Sequence, residues 1–290
     1  MGMPTDIGIV DTLIGFPHRD MRDAYSFITR QTKDRESNEE FTFPAEYMFK
    51  NVPEKQMADL DDPISVTLSE MDKWGIELGL IGLGDGQGEL AVTRHPDRFI
   101  ASTSFDPHGG MAAVAKLVRD FETYNVRAAT LFPAGIYPQV AINDKKMYPL
   151  YAKAVELGIA VFCTAGVPGP RLRMDPQRVE LIDEVMYDFP ELTFVTRHGC
   201  EPWTDLAWKL MLKWPGLHYS TSAFAPKYYP ANIVHYANTR GADKIIYGGY
   251  FPMGLSLERI MTELPEVPFR DEVWPKFLRG NALRVLGLGR

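Results

Sequence analysis

Eight short apolar runs recur along this 290-residue chain, most of them followed by a helical pattern, and this alternation limits the possible folds more than any other feature. The runs are Ile7–Phe16, Ile76–Leu83, Phe99–Phe105, Ala128–Phe132, Ala160–Thr164, Leu192–Thr196, Leu217–Ser222 and Lys244–Tyr250. They are rich in β-branched and aromatic residues and end near Gly, Pro or polar residues, as parallel strands buried on both faces do. Between them, Met111–Tyr124 sets Ala115, Val118 and Phe121 along one stripe, and Tyr148–Leu157 and Arg178–Tyr187 keep the same period. Gly158 and Gly241 fall just past helix ends, where a left-handed cap is wanted. Asp175-Pro176 reads as a helix start, and Thr204 as the cap of Asp205–Trp214.

Eight such units predict a (β/α)8 TIM barrel forming a single domain over residues 1–290. The competing fold, a doubly wound open sheet, calls for a glycine-rich phosphate turn after the first strand, and none is there. Gly84-Asp85-Gly86-Gln87-Gly88 follows the second strand and reads as a loop. One long insertion, at about residues 17–72, is charged and aromatic and is expected to overhang the C-terminal face of the barrel as a lid or an oligomer arm.

A net charge of −7, with no basic run, argues against a nucleic-acid partner. No stretch approaches the ~20 apolar residues of a membrane span. The first residues lack a basic and apolar leader pattern, and two cysteines, Cys163 and Cys200, form neither a zinc-like pair nor a disulfide framework. The expectation is a cytoplasmic protein with no nucleic-acid or membrane partner.

Barrel chemistry is assembled at the C-terminal ends of the strands. The first strand ends Asp11-Thr12-Leu13-Ile14-Gly15 and runs on to His18-Arg19-Asp20. The third supplies Ser104 and His108, the fourth Phe132, the fifth Cys163-Thr164, the sixth Arg197-His198 with Glu201, the seventh Ser220 and Ser222, and the eighth Tyr247 and Tyr250. Asp11, Asp97-Arg98-Phe99, His198-Gly199 with Pro202-Trp203, Gly248 with Pro252, and Gly280-Asn281-Ala282 occur in that order. In these marks the chain resembles the amidohydrolase-related family that includes aminocarboxymuconate-semialdehyde decarboxylase and related acid decarboxylases and hydratases, from the first strand to the C-terminus.

That resemblance implies a barrel of the metal-dependent hydrolase type, a homodimer or a hetero-oligomer with a related barrel, and a divalent metal held by five strand-end ligands. Four of the five positions are replaced here. The two histidines of the family's Asp-x-His-x-His are Leu13 and Gly15, the fifth-strand histidine is Cys163 or Thr164, and the last-strand aspartate is Tyr250. Only His198 matches. Leucine, glycine and tyrosine do not replace imidazole and carboxylate ligands, so no metal or other cofactor is expected.

The candidate catalytic residues are therefore His198, His18 and Tyr250. His198 reads as a general base or as a hydrogen-bonded structural histidine. Tyr250 reads as a donor to a substrate oxygen or as a filler of the space a metal would take. Arg19, Arg171 and Arg197 are candidate carboxylate anchors, with Glu201, Thr164 and Phe132 lining the substrate site, Arg173 beside Arg171, and loop ion pairs as the plainer reading of the charged ones. Lys227 reads as an anion-binding or surface lysine, and Cys163 and Cys200 as buried thiols. Two functions fit: a metal-independent lyase, decarboxylase or hydrolase acting on a small carboxylated or cyclic acid, or a catalytically inactive partner or ligand-binding barrel.

Overall fold

The computed structural model describes residues 2–57 and 61–289. All eight expected strands are present: β1 (Ile9–Asp11), β2 (Ile76–Gly82), β3 (Phe99–Ser104), β4 (Ala128–Leu131), β5 (Ala160–Thr164), β6 (Phe194–Arg197), β7 (Leu217–Ser220) and β8 (Ile245–Ile246). They pair in parallel and in sequence order. The helices are α1 (Met21–Ala24), α2 (Ser26–Thr29), α3 (Pro63–Lys73), α4 (Gln87–Arg94), α5 (Gly110–Tyr124), α6 (Tyr148–Leu157), α7 (Leu181–Asp188), α8 (Thr204–Lys213), α9 (Ala231–Ala237), α10 (Leu257–Glu263) and α11 (Asn281–Val285). The fold is a (β/α)8 TIM barrel.

The seam between β8 and β1 is stitched by irregular backbone. Thr12 N donates to the Tyr247 carbonyl (3.3 Å), Gly15 N to that of Phe251 (2.9 Å), and Ile14 forms a parallel bridge with Phe251. Asp11 Oδ1 accepts from Gly249 N at 2.8 Å and from Leu13 N at 2.9 Å. Both seam strands are shorter than their apolar runs. The Asp11 carboxylate turns the chain out of β1, and β8 gives way to Gly248-Gly249. A Cβ on Gly249 would stand 2.5 Å from Asp11 Oδ2, so only glycine leaves room for that carboxylate.

Two cores follow from the period-two alternation of the strands. Outward residues such as Ile9, Ile81, Val161 and Phe194 pack under the helices. Inward residues Val10, Leu80, Ile100, Ala128, Phe162, Val195 and Ile246 fill the barrel and meet Ala282 and Val285 of α11 and Leu286 just after it, which close its N-terminal end.

Gly158 takes the expected left-handed cap, with φ +65°. Gly241 does not; a Cβ there would meet the Tyr236 ring at 2.3 Å, so close packing is what requires glycine. Asp175-Pro176 opens only a single 3-10 turn, and α7 begins later, at Leu181. Thr204 is the first residue of α8 and caps nothing with its side chain; its Oγ1 accepts from Asn232 Nδ2 at 2.9 Å.

The insertion lies against the C-terminal face. Met21, Phe43, Ala45 and Val52 form its own small core, which packs on Tyr250 and Met253 from the loop after β8. Glu54 N also donates to the Pro252 carbonyl at 3.1 Å.

Candidate active site

The alternation that fills the barrel with apolar side chains turns polar at its C-terminal layer. Two residues beyond Val10, Ile100, Ala128, Phe162 and Val195 on the same inward face stand Thr12, Ser102, Thr130, Thr164 and Arg197. Leu217 and Tyr219 belong to the outer core, so Ser220 points inward. Ser104 and Gly82, at the ends of β3 and β2, are exposed.

Arg197 forms the floor. It is 8% exposed, its Nη2 donates to the Thr12 carbonyl at 3.1 Å, and its guanidinium lies 4.9 Å from the centre of the Phe162 ring. Its Nε has no partner, and among the described residues it forms no ion pair. Burial pulls its pKa down to about 10, which leaves it protonated at neutral pH. Asp11 is the carboxylate whose field it feels. Burial raises the Asp11 pKa to about 7 against the Gly249 and Leu13 N–H groups, the Tyr247 hydroxyl and Arg197, which lower it, and Asp11 Oδ2 is unpartnered. Arg197 is thus a fixed, nearly dry cation whose charge no protein carboxylate takes up directly.

His198 follows at the rim. Its φ of +63° and that of Cys200, +58°, place two non-glycine residues in the left-handed region, a conformation that costs about 1–2 kcal/mol each. The coil brings His198 Nδ1 to 3.2 Å from Ser222 Oγ, which also accepts from His198 N at 3.3 Å. Nε2 has no partner among the described residues. Burial first, and the Arg197 charge second, push the His198 pKa down to about 3, so the imidazole is neutral in the free protein. Tyr250 packs edge-on to it at 5.2 Å and is covered by Phe43 and Phe49 of the insertion, at 6.2 and 5.8 Å. Burial and the nearby Glu54 raise the Tyr250 pKa, keeping it a phenol.

His18 stands on the same face but is fully engaged. Its Nδ1 is 2.5 Å from Glu54 Oε1, and its Nε2 is 3.7 Å from Asp85 Oδ2. Glu54 is buried and also accepts from His18 N (2.9 Å) and the Tyr25 hydroxyl (3.0 Å). The Asp85 and Glu54 carboxylates raise the His18 pKa to about 9. His18 is therefore an imidazolium clamp between the insertion and the loop after β2.

Of the remaining candidates, Thr164 lies on the inner face beside Arg197 (Cα partners across β5–β6), and Phe132 is half-buried just past β4. Arg19 does not reach the bowl; it is exposed on the insertion, 3.8 Å from Asp61. Arg171 is a strut. It pairs with Asp34 (2.5 Å) and Glu36 (2.6 Å) and stacks on Phe41 and Tyr47. Arg173 pairs with Asp175 at 3.5 Å, and Lys227 with Glu263 at 3.8 Å. Glu201 is exposed, and its carbonyl accepts from Val167 N at 2.8 Å. Burial pushes the Cys163 thiol up, and that of Cys200 up to about 12, which makes both poor nucleophiles. Ser222 and Thr12 escaped selection although the period-two pattern of β7 and β1 marks them as inward. Glu54, Tyr25 and Asp85 carried no such signal, because they come from the insertion and a loop.

Among the described residues no group of three or more His, Cys, Asp or Glu converges. The positions that the family resemblance marks for ligands hold Leu13, Gly15, Cys163 or Thr164, and Tyr250. The protonated guanidinium beside His198 would also repel a dication.

The model of the family described as amidohydrolase matches residues 87–288, and the chain belongs to that family. Among solved structures, an uncharacterised TIM-barrel protein from Bordetella bronchiseptica is similar at 23% identity, with a TM-score of 0.76, covering 97% of this chain and 99% of the other. The 5-carboxyvanillate decarboxylase of Sphingomonas paucimobilis aligns at 14% identity and a TM-score of 0.67 over 97% and 99% of the two chains. A dihydroxybenzoic acid decarboxylase from a Polaromonas species, solved with manganese and 2-nitroresorcinol, aligns at 14% identity and a TM-score of 0.65 over 98% of each chain. No curated protein sequence matched the chain. Likenesses at these identities establish the shared barrel.

Proposed function

We propose that this amidohydrolase-family barrel is a metal-independent carbon–carbon lyase that decarboxylates a small carboxylated or cyclic acid. The observation that carries the reading is the Arg197 guanidinium, buried at the floor without an ion pair and next to a neutral histidine. A buried cation of this kind is matched by a carboxylate from outside the protein. Thr12, Thr164, Ser220 and Ser222 supply hydroxyls around the same bowl.

The His198 pKa is depressed partly by the Arg197 charge. An anion seated on Arg197 offsets that influence and attracts an imidazolium itself, so substrate binding favours proton uptake by His198 against the burial that opposes it. Cleavage of the bond between the carboxylate and its carbon releases carbon dioxide and leaves the electron pair on carbon. The imidazolium then delivers its proton there and returns to the neutral form. Ser222 Oγ, 3.2 Å from Nδ1, orients the ring for that transfer.

The test is carbon dioxide release from a panel of small carboxylic acids by chelator-treated protein. Turnover that survives chelation and falls at least a hundredfold in His198→Asn supports the reading. Turnover that requires an added divalent metal overturns it. Carboxylate binding with no turnover by any acid would make the barrel a ligand-binding module instead.

A further inference from the structure

A second cavity, of about 400 Å³, opens at the opposite, N-terminal end of the barrel. It lies at the starts of β2 and β3 and just before β4, against α11 and the tail that follows it. Leu78, Ile100, Leu283 and Leu288 contribute apolar walls, and Asn125, Arg127 and Arg279 polar groups. The two arginines differ. Arg279 is paired with Glu77, and nearby Arg98 is taken up by Asp72 and the carbonyls of Ile76 and Glu77. Arg127 has no side-chain hydrogen bond or ion pair among the described residues, and its Nε is buried without a partner. Its Nη1 lies under the tail, 3.9 Å from where a Cβ of Gly287 would sit.

A buried guanidinium N–H left unpaired is costly. The cavity falls within the size range of small-molecule sites, which combine apolar walls with a few fixed polar groups. We infer that this cavity is a second binding site, separate from the bowl at Arg197, for an amphipathic monoanion: a carboxylate on Arg127 with an apolar chain lying against Leu78, Ile100, Leu283 and Leu288. Arg279, already neutralised by Glu77, adds no second charge, which selects one anionic group rather than two. Bound ligand braces α11 against β2 and β3.

Calorimetric titration of the full chain with sodium decanoate tests this, with decan-1-ol as the uncharged comparison and a thermal melt alongside. The expected result is saturable decanoate binding with a raised Tm, little binding of decanol, and at least a tenfold weaker Kd in Arg127→Gln. Leu288→Trp, which fills the cavity and leaves Arg127 in place, is expected to block binding too, and decanoate is expected to bind this site equally in Arg197→Met. The proposal is overturned if decanoate does not saturate, if both Arg127→Gln and Leu288→Trp bind it like the wild type, or if Arg197→Met is the variant that loses it. The last result would move the anion to the bowl, so failure here is separable from failure of the lyase reading.

Discussion

At the scale of the residue, the molecule turns on one cation and the ring above it. Arg197 reaches the barrel axis because β6 alternates Phe194 and Thr196 outward against Val195 and Arg197 inward. Replacement by methionine keeps the stem and removes the charge. Arg197→Met is expected to weaken binding of a small carboxylate by at least tenfold, about 1.4 kcal/mol, while Arg197→Lys keeps part of it, as titration would read. His198 supplies a second prediction. Saturating carboxylate should raise its pKa from about 3 toward the ordinary imidazole range, visible as a shift of its ring resonances in NMR titrations. An unchanged pKa would remove the substrate-coupled proton from the mechanism. His198 was singled out in the sequence as the one residue that matches the ligand pattern of the resembled family. The charge state of its ring was not, because it depends on Arg197 lying in the same dry layer.

At the scale of the element, the insertion is fastened by ion pairs at two places. Glu54 receives His18 and Tyr25 in a buried setting, and Glu54→Gln is expected to cost about 3 kcal/mol in urea unfolding, since it leaves the clamp uncompensated. The same clamp sets a pH dependence. The folded pKa of His18 is raised to about 9, so its contribution is complete below the unfolded value near 6.5 and is lost as pH rises through 9. His198 and His218 have folded values near 3, so their contribution is lost as pH falls from about 6.5 toward 3. Asp11, raised to about 7, works against them over most of that range, above about pH 3.9, because its contribution fades as pH rises from about 3.9 through 7. The Tm is expected to decline between pH 6.5 and 9.5 in the wild type, with a flatter decline in His18→Asn. At the other fastening, Arg171→Ala is expected to speed proteolysis within the insertion at least severalfold, with little effect on the barrel.

Strands buried on both faces were legible as apolar runs, and all eight are present. Their ends were less so. The Gly248-Gly249 pair and the Asp11 carboxylate shorten the seam strands through a contact 238 positions apart in sequence. Arg19 and Arg171 were placed near the site by their position in the chain, yet their partners, Asp61, Asp34 and Glu36, lie on the insertion and turn both outward.

At the scale of the whole molecule, the barrel carries a buried polar layer at its C-terminal end and an apolar cavity at the other, with α11 closing the core between them. Among the described residues no helix is long and apolar enough to cross a membrane. The barrel and its family could be inferred from order and spacing along the chain. The function of the bowl could not, since it depends on which inward side chains share a layer. Calorimetric titration of a small carboxylate into chelator-treated wild type and Arg197→Met, repeated with added manganese, tests the metal-free carboxylate site most directly. Wild-type affinity is expected to be independent of chelation and metal, and to fall at least tenfold in Arg197→Met. Binding that appears only with manganese, or that survives undiminished in Arg197→Met, would contradict a metal-free site at Arg197.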